Sequence, residues 1–184
     1  KIREKGYLYI DKSEMISRIL SEGAEVYLYT RPRRFGKSLN LSMLDAFFNL
    51  KYPKDNKWFD GLKVSECEEC HQHRNSYPVI NISLKDLEAN SYNLFLRRLS
   101  IKVSSLYSGF EFLYGSDRIG MASRSRFKEL CVGTSDEALI MDSLRLLSDM
   151  LHTYYGKKVI ILIDEYDNAI HNTYGLSFQK DVLS

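Results

Sequence analysis

A chain of 184 residues, 44% of them hydrophobic, favours one domain of ordinary size with a full core and excludes a disordered chain. Its 26 basic and 24 acidic residues leave a formal charge of +2, which gives no whole-molecule argument for a nucleic-acid or membrane partner. Three cysteines, an odd set, point to reduced thiols in a cytoplasm; no secretory leader is visible at 1–11, and the longest strongly apolar run, at 159–163, is far too short to span a bilayer.

In chain order, residues 7–10 form a short extended run. Asp11 with Glu14 three positions on resembles a capping box, and Met15, Ile16, Ile19 and Leu20 then share one helical face. Residues 21–25, with Gly23, end that helix. The apolar β-type run VYLY at 26–29 predicts a strand. After it the chain turns through Thr30, Arg31, Pro32, Arg33, Arg34 and Phe35 to Gly36-Lys37-Ser38 and becomes a helix. Strand, loop, Gly-Lys-Ser, helix is the context of a phosphate-binding P-loop. Loop and first-turn N–H groups point at one spot, where the helix dipole favours an anion. Lys37 would add a point charge for the β- and γ-phosphates, and Ser38 a hydroxyl for Mg²⁺. Arg31 stands where the general motif has its first glycine, and Pro32 restricts Arg31 to extended geometry. The basic cluster Arg31, Arg33, Arg34 and Lys37 fits nucleotide phosphates; Arg33 or Arg34 would reach the γ-phosphate, or pack within the loop.

Two stripes, Leu39-Met43-Ala46-Phe47-Leu50 and Leu41-Leu44-Phe48, predict a helix buried between layers. Residues 51–74 read as a polar, irregular surface loop, in which Trp58-Phe59-x-Gly61-Leu62 has a packing role. Cys67-x-x-Cys70-His71-x-His73 has zinc-ligand residue types, but one short knuckle rarely closes four ligands, so a metal-free loop is expected. A second buried strand follows Pro78 at 79–82, and a helix is predicted over 90–107. Residues 108–133 predict a long loop with a short helix near 126–130. Thr134 with Glu137 reads as another capping box, and Ile140, Leu144, Leu147 and Leu151 form the stripe of the next helix, stopped by Gly156. The β-branched run at 159–163 suits a strand buried on both faces of a parallel sheet. It ends in Asp164-Glu165, the Walker B pattern: the first acid holds Mg²⁺ through water and the second polarises the attacking water. A helix is expected to start over 166–174.

The strings YLYIDKS (7–13), RPRRFGKSLNLSML (31–44), YPVINIS (77–83) and IILIDEYD (160–167) together resemble the AAA-ATPase-like domain of many bacterial and some archaeal proteins. In that family Arg-Pro-Arg-Arg-Phe-Gly-Lys-Ser is itself the usual P-loop. The resemblance runs over nearly the whole chain, 1–184, and implies an α/β P-loop NTPase with a doubly wound parallel sheet flanked by helices. It implies ATP and Mg²⁺ as ligands, with Arg33, Arg34, Phe35, Gly36, Lys37, Ser38 and Leu39 on the nucleotide. Ser38 and Asp164 would hold Mg²⁺ through water, and Glu165 would be catalytic. Residues 9–12 occupy the place that covers the adenine in related ATPases, although a plain helix cap at Asp11 suits them better. By the same analogy a further strand with a sensor residue would follow, so the chain reads as the N-terminal part of a longer protein. Relatives commonly carry a nuclease-like domain further along, and self-association is compatible with the family. Two functions follow: Mg²⁺-dependent ATP hydrolysis driving or gating an effector, or a nucleotide-dependent switch with little turnover in a nuclease-associated defence or mobile-element protein.

Overall fold

The computed structural model describes residues 6–30 and 35–167, and divides them between Val79 and Ile80 into two compact units. In the first, helix α1 (Glu14–Glu22) buries Ile16 completely and packs on the 3₁₀ turn Lys63–Glu66 and on the short helix α3 (Glu68–His71). It stops where expected, at Gly23, which is left-handed at φ 63° and donates its N–H to Ile19 O. Its start differs from the expected capping box. Ser13 is the N-cap and makes no side-chain cap. Asp11 instead accepts N–H groups from Ser13 and Lys63, each at 2.8 Å, while Glu14 pairs with Arg18 at 2.8 Å and Lys63 at 3.2 Å. Lys63, distant in sequence, competes for both acids. Burial pushes the Asp11 carboxyl up, but those hydrogen bonds outweigh it and hold it below its ordinary value.

Helix α2 (Lys37–Phe48) buries Met43, Leu44, Phe47 and Phe48, whereas Leu39 remains 39% exposed, so the expected two-sided burial holds only for the second half. Phe47 meets Phe48 and Phe59 edge-to-face. Asp45 is buried on the same helix, which its apolar stripes do not foretell. It accepts from Asn49 Nδ2 at 2.8 Å and Tyr52 Oη at 2.9 Å, and Lys51 Nζ lies 3.2 Å away. A buried carboxylate survives only with partners of this kind. Beyond α2, residues 51–74 are not a bland surface loop. Asn75 is left-handed (φ 47°), donates its N–H to Phe47 O, and gives its side-chain amide to Ala46 O and Asn49 O. These are carbonyls that a helix end leaves unsatisfied. The returning chain caps α2 and buries Phe59, Leu62, Val64 and Cys70 as it does so.

The strand expected at 26–29 does not form. Val26 is 84% and Leu28 66% exposed, and among the described residues no ladder joins this run to another strand. It is held by side chains instead: the Tyr27 hydroxyl donates to Ile19 O at 2.8 Å and accepts from Ala24 N, and Tyr27 stacks with Tyr29. β propensity shows only where an edge is available to pair, and among the described residues this run has no ladder partner.

The second unit is α/β, with a small parallel sheet flanked by helices. Its two strands, β1 (Val79–Ser83) and β2 (Ile160–Asp164), are neighbours. Leu84 N donates to Asp164 O at 2.9 Å, so both carboxyl ends emerge together. Strand β2 buries Leu162 but leaves Ile161 and Ile163 exposed at 41% and 39%, in place of the expected two-sided burial. The doubly wound sheet is thus reduced to two strands among the described residues, and a second layer does not cover β2 there. Helix α4 (Tyr92–Ser108) is capped by Ser91, and it packs on α5 (Met121–Val132), which is longer than the short helix expected near 126–130. Asp136, not Thr134, caps α6 (Glu137–Met141) by accepting from Leu139 N; Thr134 Oγ1 donates to Glu129 instead. One apolar stripe passes from α6 into α7 (Ser143–Tyr155), burying Ile140, Leu147 and Leu151, although the helix breaks at Asp142. Gly156, left-handed at φ 65°, ends α7.

At that break the Tyr107 hydroxyl donates to Ser143 O at 2.6 Å, and burial, then the nearby Asp142 charge, pushes its phenol up and keeps it a neutral donor. Tyr107→Phe would remove a buried hydrogen bond to a carbonyl that α7 also engages. It is expected to cost about 0.5–1.5 kcal/mol, seen as a lower denaturation midpoint at unchanged m-value. No helix among the described residues is long and apolar enough to cross a membrane.

Candidate functional site

One candidate element, in the first unit, is the start of α2. Gly36 is its N-cap, left-handed at φ 78° and ψ 25°, and Gly36 O accepts Asn40 N at 2.9 Å. Only glycine takes this backbone without cost, which explains the residue at that turn. Among the described residues no side chain caps α2, its first turn holds no acid, and its leading N–H groups are available to an outside acceptor. Lys37 is its first residue and is half-buried; Ser38 is exposed, and its hydroxyl makes no bond among the described residues. Phe35 and Leu39 flank them and are exposed. Five of the expected nucleotide residues, Phe35 to Leu39, are therefore consecutive around one helix start. Arg33 and Arg34 lie outside the described residues, as do Arg31 and Pro32.

A second candidate element, taken by itself in the other unit, is the carboxyl end of β2. Asp164 is its last residue and is half-buried; its Oδ1 accepts the Glu165 N–H at 3.0 Å. Glu165 is left-handed at φ 56°, a conformation that costs a non-glycine residue roughly 1–2 kcal/mol. Such strain persists only where the surroundings enforce it, and it concentrates at functional positions. Tyr166 and Asp167 begin a helical turn, and the rest of the expected 166–174 helix lies outside the described residues. Asp167 Oδ1 is buried with no hydrogen-bond partner.

With this geometry in hand, comparison with known proteins identifies the family. The family described as "Predicted AAA-ATPase" matches residues 1–182. The chain belongs to that AAA-ATPase-like family. Among curated proteins, the "Uncharacterized protein in vnfD 5'region" of Azotobacter chroococcum mcd 1 is 29% identical over 179 residues. That alignment covers 92% of this chain but 28% of the relative, so this AAA-ATPase-like chain spans little more than a quarter of the relative's length. No solved structure matches the chain.

The Cys67–His73 cluster, in the first unit, is a separate candidate. Cys67 and Cys70 are joined by a disulfide, which corrects the expectation of reduced thiols there; Cys131 is free, and burial pushes its thiol up. His71 Nε2 bonds Ser65 O at 3.1 Å, and His73 Nδ1 bonds the Tyr77 hydroxyl. Among the described residues no group of three or more His, Cys, Asp or Glu is placed to hold a metal. Elemental analysis of chain purified without chelator is expected to find well under one zinc per chain. A stoichiometric zinc that resists dialysis would mean that the two thiols are reduced and ligating.

Sequence reasoning missed one residue near the start of α2. Lys12 places its ammonium beside Gly36, although the sequence suggested only a cap or an adenine contact for 9–12. An isolated lysine before a helix carries no signal of this kind; only the fold brings positions 12 and 36 together.

Proposed function

We propose that this domain is an ATP-binding P-loop module that hydrolyses ATP, with Gly36, Lys37 and Ser38 receiving the phosphates and Asp164 and Glu165 serving the hydrolytic step. The observation that carries the reading is the left-handed Gly36 at the uncapped, acid-free start of α2, followed directly by Lys37 and Ser38. That arrangement offers backbone donors, a helix dipole and an ammonium to one anion. Family membership supplies the nucleotide. Arg33, Arg34, Phe35 and Leu39 complete the proposed nucleotide contacts by position in the chain.

Two residues would suit Mg²⁺ by the chemistry of their oxygens alone: Ser38 has a hydroxyl, and Asp164, in the other unit, keeps its Oδ2 without a hydrogen bond among the described residues. When bound with ATP, the ion would supply charge neutralisation on the β- and γ-phosphates. Lys37 orients the phosphate chain, and Glu165 takes up and orients the attacking water. Calorimetric titration of MgATP, followed by steady-state and single-turnover hydrolysis, tests the whole. One saturable site with turnover supports it, and saturable binding without turnover leaves a switch module. No saturable binding at millimolar ATP rejects both.

A further inference from the structure

The segment Asp11-Lys12-Ser13 is fixed from two sides. Asp11 accepts Ser13 N and Lys63 N, each at 2.8 Å, and the fully buried Ser13 accepts Val64 N on its hydroxyl at 3.0 Å. Lys12 O accepts Met15 N at 3.1 Å. Both neighbours' side chains thus face the Lys63–Glu66 turn, and the side chain of Lys12 goes the other way, to the start of α2. A β-carbon built on Gly36 would lie 3.5 Å from Lys12 Nζ.

This is the wrong end of a helix for a cation. The N-terminus carries partial positive charge, and Lys37 adds a full one next to it. No carboxylate among the described residues pairs with Lys12: Glu14, two positions away, is engaged by Arg18 and Lys63, and the first turn of α2 has no acid. Two lysines and a helix N-terminus share one small region, and among the described residues no acid pairs with Lys12 or stands in the first turn of α2. Such an arrangement opposes itself when empty and becomes favourable when a polyanion enters. A nucleobase would gain nothing from it.

We infer that Lys12 is a second phosphate-binding cation of the nucleotide site, clamped by Asp11 and Ser13 so that its ammonium meets the polyphosphate chain at Gly36. This rests on the nucleotide reading of the Gly36–Ser38 turn and assigns residue 12 to the phosphates, not to the adenine.

The test compares wild type, Lys12→Ala, Lys12→Arg and Lys37→Ala by calorimetric titration with MgATP, sodium tripolyphosphate and adenosine, and by thermal melts with and without MgATP. Lys12→Ala is expected to weaken MgATP and tripolyphosphate about tenfold, the scale of one charge-assisted contact, and to leave adenosine unchanged. Lys12→Arg should recover most of the loss. Without ligand the Lys12→Ala melting temperature should be equal to or above wild type, because a like-charge contact is removed. The inference is overturned if Lys37→Ala loses MgATP while Lys12→Ala keeps it. It is equally overturned if Lys12→Ala weakens adenosine and MgATP alike, which marks a base contact, or lowers the ligand-free melting temperature with no rescue by arginine, which marks a structural role. Failure of the wild type itself to bind MgATP or tripolyphosphate would remove the nucleotide reading first, and this inference with it.

Discussion

Lys37→Ala is expected to weaken ATP binding by tens of fold or more while leaving the fold intact. The residue opens α2 and is half-buried, with no acid in the first turn to hold it. On the proposed reading its partner is the ligand, so truncation would remove a charge-assisted phosphate contact of about 2–3 kcal/mol and little else. Alanine is also the best helix former, so α2 should not suffer. Calorimetric titration measures the loss, and far-ultraviolet circular dichroism with a thermal melt checks the fold. An unchanged affinity in a folded variant would place the nucleotide elsewhere. Arginine at 37 should not rescue fully, because a planar fork replaces a compact point charge in a tight turn.

The parts of this site that the sequence made legible are those set by local chemistry. Gly36, Gly23 and Gly156 each take the left-handed backbone that glycine makes cheap, and each marks a helix end where expected. Strands β1 and β2 stand where their β-branched runs are. What could not be read depends on partners distant in the chain. The acids of both expected capping boxes take distant partners: Asp11 accepts Lys63 N in addition to Ser13 N, and Glu137 accepts from the Tyr92 hydroxyl. Buried Asp45 is invisible to any apolar stripe, because Asn49, Tyr52 and Lys51 reach it only once α2 has ended. The run at 26–29 has strand chemistry without a strand's partner, which no local pattern reports. Lys12 is the same lesson at the site itself.

Glu165→Gln is expected to leave ATP affinity within a few fold of wild type and to lower hydrolysis roughly a hundredfold, the scale of losing a general base. The substitution keeps the shape and hydrogen bonding of the side chain and removes its charge. It also keeps the left-handed backbone at φ 56° and the N–H that Asp164 Oδ1 accepts, so any effect reads the carboxylate and not the fold. A group that orients and polarises water acts more in the transition state than on bound ATP, which is why rate and affinity should separate. Glu165→Gly sharpens the argument. It relieves a conformation unfavourable to an L-residue and is expected to raise stability by up to about 1 kcal/mol while hydrolysis falls as far as in the glutamine variant. Strain kept at a position where its removal stabilises the chain is strain retained for a task. Asp167, with a buried and unpartnered Oδ1, is the rival acid. If Glu165→Gln turns over ATP at the wild-type rate while Asp167→Asn does not, the water-orienting carboxylate is Asp167, and the left-handed turn at Glu165 serves only to aim the chain that carries it.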